Sequence, residues 1–217
     1  MKNPSHQQAR ANQPPSVLPL AIPAHSTIAE GTSAHGTRTQ GPKAHGLYKL
    51  YRSQLFDMYW AEKALLKQFP KMIRHAHAHK LAETLYILLD STRKHINRLE
   101  ALFSSSNLRP VENRCKAMDG LIKETTEVIQ STEVGYVGDA GILSSGQKME
   151  HYGMAGYQVL QALAETLGEA RAAAMLKYTL EEKKQAAEVL AGLAMDYLVE
   201  NEFTGTGDAG DRYDLHP

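Results

Sequence analysis

Four polar side chains in this chain occupy positions where a helical pattern calls for apolar residues. Along four segments, apolar residues recur at every third or fourth position, which marks the buried face of a helix. The exceptions on these faces are Glu62, His95, Glu150 and Lys183. A carboxylate buried without a partner costs several kcal/mol, so each of the two glutamates requires a partner in the folded protein. Carboxylates and imidazoles are ligands for divalent metals, whereas carboxylates and an ammonium form ion pairs.

The elements that carry these side chains are predicted to be long helices. The periodic segments run over residues 47–69, 78–103, 139–167 and 169–201, and a shorter amphipathic segment covers 112–130. No segment has the alternation of a strand. The chain is therefore predicted to be all-α, a four-helix bundle with an additional short helix between helices 2 and 3. Because helices of similar length place their midpoints at similar depth, the four polar side chains are predicted to converge in the core.

The predicted cluster contains two carboxylates, one imidazole and one ammonium, with Thr92 one turn before His95. Two metals in a bundle of this kind use about four glutamates, which is more than these faces supply. Lys183 also brings a positive charge that repels a metal, so we predict that Lys183, with His95 when protonated, neutralises the glutamates. Periodicity leaves open whether Glu182 or Lys183 faces the core. The alternative is a metal site formed by Glu62, His95, Glu150, His151 and Glu182.

Composition and charge argue against several classes of function. The chain has 24 Lys and Arg residues and 24 Asp and Glu residues, which gives a net charge of zero with histidine neutral. This balance argues against nucleic acid as a partner, and no apolar run approaches the length of a membrane span, about 20 residues. The single cysteine, Cys115, excludes an internal disulfide and a cysteine-based zinc site. We expect a cytoplasmic protein with either no cofactor or iron or manganese.

The chain is predicted to have one folded domain between two tails. Residues 1–46 are rich in Pro, Gly, Ser, Thr and His without any period, which predicts a disordered low-complexity tail. The bundle domain is predicted over 47–201, and 202–217 is predicted to be a flexible C-terminal tail. Pro70 is predicted to end the first helix, because proline disfavours helix in the residue before it. Gly168 is predicted to end the helix that carries Glu150.

Four segments resemble motifs of the YciE/YciF ferritin-like proteins. They are 55–65 (LFDMYWAEKAL), 115–122 (CKAMDGLI), 147–152 (QKMEHY) and 179–184 (TLEEKK). The motifs occur in the same order as in that family, and the resemblance covers about residues 47 to 200. It implies a ferritin-like bundle, a homodimer, a link to bacterial stress responses and a di-iron centre.

The chain departs from the family at several acidic positions. Ser91 stands where the family has glutamate, and Gly153 replaces the last glutamate of the family's Glu-His-Tyr-Glu motif. Lys183 and Ala187 replace acidic residues of the last helix. We therefore predict that the di-iron site is partly lost and that the protein has a structural or interaction role. The alternative is an iron- or manganese-binding ferritin-like oxidoreductase or peroxide-handling protein.

Overall fold

Five helices account for the periodic segments of the sequence. The structure is a computed structural model that describes residues 41–111 and 113–203, with side chains described as far as residue 197. The helices are α1 (Pro42–His75), α2 (His79–Ser105), α3 (Lys116–Ser131), α4 (Tyr136–Thr166) and α5 (Ala170–Phe203). There is no strand among these residues, so the predicted all-α fold is confirmed. No helix in the described ranges combines the length and hydropathy that crossing a membrane requires.

The four long helices form the bundle, and α3 is added at its side. The most extensive helix pair is α4 with α5, followed by α1 with α2. α1 also contacts α4, and α2 contacts α5, which closes the bundle. The short α3 packs against α1 and α4. This arrangement is the predicted four-helix bundle with an additional short helix between helices 2 and 3.

The first and last helices extend into the predicted tails. α1 begins at Pro42, earlier than the predicted 47, with proline at the start of the helix, where its missing N–H costs nothing. The rest of the predicted N-terminal tail, residues 1–40, lies outside the described residues. α5 extends to Phe203, and residues 204–217 of the predicted C-terminal tail also lie outside them.

The prediction that α1 ends at Phe69 is wrong. The helix continues through Pro70 to His75. Pro70 has no N–H and removes one hydrogen bond of the helix, but Met72, in the turn that follows, is completely buried in the apolar core. The burial of such a side chain, worth about 1.5–3 kcal/mol, offsets this loss and keeps the last turn helical. Gly168, in contrast, ends α4 as predicted, with a φ of +78°.

Charged side chains divide the core into two apolar clusters along the bundle axis. On α1, residues 51–59 belong to one cluster and residues 65–72 to the other, with Glu62 between them. On α5, residues 172–180 and 190–193 flank Lys183 in the same way. Among the described residues, the buried polar side chains between the two clusters are Glu62, Thr92, His95, Glu150 and Lys183.

Candidate functional site

Lys183 lies between two buried glutamates at the centre of the bundle. Its Nζ is 3.3 Å from Glu62 Oε1 and 3.3 Å from Glu150 Oε2. The exposed fraction is 0% for Glu62, 2% for Glu150 and 1% for Lys183. The structure therefore directs Lys183, rather than Glu182, into the core.

One oxygen of Glu62 meets side chains from the three other long helices. Its Oε1 accepts a hydrogen bond from the Tyr157 hydroxyl of α4 at 3.1 Å. The same oxygen is 3.4 Å from Nδ1 of His95 on α2, in addition to its contact with Lys183 on α5. Thr92, one turn before His95, is also buried. A single carboxylate of α1 thus links all four long helices at one depth.

Gly153 provides the space that Lys183 occupies. A Cβ atom at Gly153 would lie 3.2 Å from both Cδ and Cε of Lys183. That is closer than the about 3.5–4.0 Å of favourable carbon contacts. Because α4 has no side chain at this position, the aliphatic stem of the lysine fits against its backbone. Packing therefore couples two of the departures noted in the sequence, Gly153 and Lys183.

Glu182 and Arg98 form a second, partly exposed ion pair outside the buried cluster. Arg98 Nη2 donates to Glu182 Oε1 at 3.0 Å, and Nη1 donates to Glu182 Oε2. Arg98 Nη1 also donates to the Thr179 hydroxyl at 3.2 Å. His95 Nε2 is 3.1 Å from Glu182 Oε2. His95 therefore has a carboxylate near each ring nitrogen and connects the buried glutamates to the outer pair.

Burial and charge act in opposite directions on the buried ionisable groups. Burial raises the pKa of Glu62, but Lys183, His95 and the Tyr157 hydroxyl reverse this and hold its pKa at about 2, below the ordinary 4.5. At Glu150, burial prevails over the attraction of Lys183, and the pKa is raised. Burial lowers the pKa of Lys183, but the two glutamates outweigh it and raise the pKa.

His95 and Glu182 stabilise each other's charged form. Burial lowers the pKa of His95, whereas Glu62 and the hydrogen bond with Glu182 raise it, and the net shift is upward. Burial raises the pKa of Glu182, but hydrogen bonds from His95 and Arg98 lower it to about 2. An imidazolium therefore suits this position, since it faces carboxylates on both sides.

Three atoms of the cluster have no hydrogen-bond partner among the described residues. They are Glu62 Oε2, His95 Nδ1 and Glu150 Oε2. His95 Nδ1 and Glu150 Oε2 lie within ion-pair distance of an opposite charge, but without the angles of a hydrogen bond. The cluster is held together by charge more than by directional bonds, which makes its stability depend strongly on every member.

A di-metal centre does not fit these side chains. Lys183 Nζ stands between the two buried carboxylates, and its charge repels a cation from the same space. In the part of the chain that the structure describes, no three His, Cys, Asp or Glu side chains have the spacing of a metal site. His151, another of the predicted metal candidates, is exposed and lies outside the cluster.

Sequence reasoning missed a third buried carboxylate, Asp139 near the start of α4. Its Oδ1 accepts the His77 backbone N–H, and its Oδ2 accepts the Ala78 backbone N–H and the Tyr197 hydroxyl, all at 2.8 Å. Ala78 precedes α2 and provides no capping side chain of its own, so Asp139 caps α2 from a distant part of the chain. The only signal in the sequence was an acidic residue in the first turn of a helix, which is common.

Two contacts of the ion cluster were also not predicted. Tyr157 lies two turns after Glu150, and Arg98 lies one turn after His95. Residues at these spacings share a helix face, so the same periodicity that identified the cluster is the signal that would have found both.

The fold and its buried polar layer define a ferritin-like helical bundle protein. The chain belongs to the family described as a domain of unknown function, DUF892, whose sequence profile matches residues 46–202. Protein YciF of Escherichia coli is 42% identical to the chain over 143 residues, which cover 65% of this chain and 86% of YciF. The predicted membership of the YciE/YciF family is confirmed.

Two solved structures share the fold. The crystal structure of the Escherichia coli stress protein YciF matches with a TM-score of 0.68 and 39% identity, over 70% of this chain and 97% of that chain. The structure of YcfI from Rhodopseudomonas palustris, for which a structural role has been suggested, matches with a TM-score of 0.64 and 36% identity. That match covers 67% of this chain and 92% of YcfI.

Proposed function

We propose that this protein is a stress-associated structural or interaction protein in which an ion cluster replaces the di-iron site that the family resemblance implies. The observation that carries the proposal is the position of Lys183 Nζ, 3.3 Å from both Glu62 Oε1 and Glu150 Oε2. An ammonium at this point supplies the positive charge that buried carboxylates need. The charges of the buried carboxylates are thus neutralised by the protein's own side chains.

The packing around Lys183 supports this interpretation. The absence of a side chain at Gly153 accommodates the lysine stem. Lys183 also lowers the pKa of Glu62, against the effect of burial, so this carboxylate is kept ionised. A buried lysine that did not pair with the glutamates would require neither the missing side chain at Gly153 nor the ionised form of Glu62.

The relatives support the broader part of the proposal. YciF is described as a stress protein, and a structural role has been suggested for YcfI. Both descriptions belong to the relatives, and the proposal extends them to this chain. The homodimer is part of the proposal on the ground of the resemblance, and the cytoplasmic location on the ground of the sequence composition.

A second candidate function is an iron- or manganese-binding ferritin-like oxidoreductase or peroxide-handling protein. The observation that favours it is that Glu62 Oε2 and Glu150 Oε2 have no hydrogen-bond partner among the described residues. A cation would satisfy oxygens of this kind. This function requires Lys183 to leave the space between the two carboxylates.

Elemental analysis of untagged protein, produced with iron and manganese in the medium, decides between the two candidates. A tag is omitted because added histidines bind metal. For the proposed function we expect far less than one metal ion per chain, since Lys183 already neutralises the carboxylates. One or two ions per chain that are lost in Glu150→Ala would overturn the proposal and support the metal-binding candidate.

Two variants make this experiment more specific. His151→Ala removes an exposed histidine outside the cluster, so metal that is lost in this variant is bound at the surface. Lys183→Met removes the central charge at similar volume, whereas Lys184→Met removes an exposed charge next to it. If Lys183 is what excludes metal, the Lys183→Met protein takes up more metal than the Lys184→Met protein.

A further inference from the structure

A row of basic side chains follows one side of α1. Lys63, Lys67, Lys71 and Arg74 are separated by four, four and three residues, so they share one face of the helix. At about 1.5 Å per residue, the row is about 16 Å long. This local excess of positive charge is not apparent from the net charge of the whole chain, which is zero.

The row forms one wall of a groove between α1 and α3. Two cavities lie along it, with volumes of about 230 and 420 Å³, and Lys71 lines both of them. Asp119 is the only acidic residue among the described residues that line them. Its carboxylate is already engaged by Arg114 Nη2 at 2.8 Å and Lys123 Nζ at 3.1 Å. The groove is therefore attractive to anions.

A buried amide without partners lines the first cavity. Gln68 is 1% exposed, and both its Oε1 and its Nε2 have no hydrogen-bond partner among the described residues. Leaving both atoms of a buried amide unbonded is unfavourable. The amide requires one donor and one acceptor side by side. A peptide group offers both, whereas a phosphate offers acceptors.

We propose that the groove between α1 and α3 binds an extended acidic peptide segment of a partner protein. Carboxylates of the segment pair with Lys67, Lys71 and Arg74. A backbone peptide group bonds to the Gln68 amide, which the peptide must uncover because Gln68 is 1% exposed. Ile122 and Ile129, which line the α3 side of the cavities, receive the apolar parts of the peptide. The groove shares no residue with the ion cluster, so this inference goes beyond the proposed function and is tested separately.

The chain contains a single tryptophan, Trp60, and it lines the first cavity. Its fluorescence therefore reports on the groove directly. The full-length protein is titrated with an end-blocked synthetic peptide of alternating glutamate and alanine, at low ionic strength. A matched peptide with glutamine in place of glutamate is the charge control. We expect a saturable change in Trp60 emission with the acidic peptide, weakened by salt, and none with the glutamine peptide.

Three variants locate the binding. The double change Lys67→Glu and Lys71→Glu is expected to weaken binding by about tenfold or more, because attraction becomes repulsion. The control pair, Lys49→Glu and Lys177→Glu, has the same change in charge at exposed positions outside both cavities and should leave the affinity within about twofold. Gln68→Met removes the amide at similar volume and is expected to weaken peptide binding about threefold while the melting temperature does not fall.

Several results would overturn the proposal. One is equal weakening by the groove pair and the control pair. Another is competition by inorganic phosphate as effective as that by the peptide, which would make the groove a site for small anions. A Trp60 emission that changes when the protein alone is diluted would show that a second copy of the chain covers the groove. A Gln68→Met protein that loses stability but binds the peptide normally would assign that amide to structure alone.

Discussion

Glu62 and Asp139 are both fully buried carboxylates, but the protein neutralises them in different ways. Asp139 receives hydrogen bonds from two backbone N–H groups and one tyrosine hydroxyl. Glu62 receives one hydrogen bond, from Tyr157, and otherwise depends on the charges of Lys183 and His95. One site is fixed by directional bonds to neutral donors, and the other by opposite charge.

The difference indicates what each site does for the fold. The donors of Asp139 are in the connection between α1 and α2 and in α5, so this carboxylate fixes the end of the bundle. The Glu62 cluster lies between the two apolar clusters and connects the middle of all four long helices. Among the described residues, Glu62 Oε2 has no hydrogen-bond partner there. Removing one charge there leaves another buried and uncompensated, whereas removing the Asp139 carboxylate leaves neutral donors unpaired.

The largest effect is expected for Lys183→Met. The change keeps the volume of the side chain but leaves Glu62 and Glu150 without their central cation. We expect the free energy of unfolding to fall by about 3–5 kcal/mol, as for a buried ion pair that loses one partner. Urea denaturation followed by circular dichroism measures this.

Lys184→Met is the matched control for that experiment. Lys184 is exposed and contacts Glu181 at 2.9 Å, so its loss should change the stability by less than about 1 kcal/mol. If Lys183→Met unfolds at the same urea concentration as the Lys184→Met protein, charge is not what holds the buried cluster together.

A smaller effect is expected at the end of the bundle. Asp139→Ala removes the acceptor of three hydrogen bonds. At about 1 kcal/mol for each, the free energy of unfolding should fall by about 3 kcal/mol. Hydrogen exchange should increase first at the start of α2, because its cap is lost.

Tyr197→Phe tests whether these bonds contribute separately. It removes the hydroxyl that donates to Asp139 and keeps the ring, so a loss of about 1 kcal/mol is expected. A loss as large as that of Asp139→Ala would mean that the site acts as a single unit, like the ion cluster.

The dependence of stability on pH tests the charges of the ion cluster. The pKa of Glu62 is about 2 in the folded protein and ordinarily 4.5, so its contribution is present above pH 4.5 and is lost as the pH falls towards 2. At about 1.4 kcal/mol for each pKa unit, this loss is on the order of 3 kcal/mol. The pKa of His95 is raised above 6.5, so its contribution is complete below pH 6.5 and is lost as the pH rises through the raised value.

The free energy of unfolding of the Glu62→Gln protein, measured across this pH range, tests whether Glu62 causes the loss of stability in acid. The variant should lose part of the decline between pH 4.5 and 2, because its side chain does not titrate, whereas Glu182, whose pKa is also lowered to about 2, still does. Glu181→Gln, at an exposed position on α5, is the control for the general effect of acid. If the stability of the Glu62→Gln protein falls in acid as much as that of the unchanged protein, other carboxylates cause the decline.

Much of the bundle and part of the site were predictable from periodicity. Each long helix has a clear apolar face, and a charged residue on such a face, such as Glu62 or Lys183, stands out against it. Asp139 did not stand out, because two of its three partners are backbone groups in the connection between α1 and α2, which have no sequence signature. The continuation of α1 beyond Pro70 was also not predictable, since it depends on how Met72 packs in the core.

The sequence by itself determined the helices, their order and the depth at which four polar side chains would meet, because these depend on spacing along one chain. Only the tertiary structure decided which side chain of the pair Glu182 and Lys183 faces the core, since one residue is a rotation of about 100° on a helix. It also decided that Gly153 lies against Lys183. Such facts depend on the distance between two helices, and that distance is set by the packing of all the side chains between them.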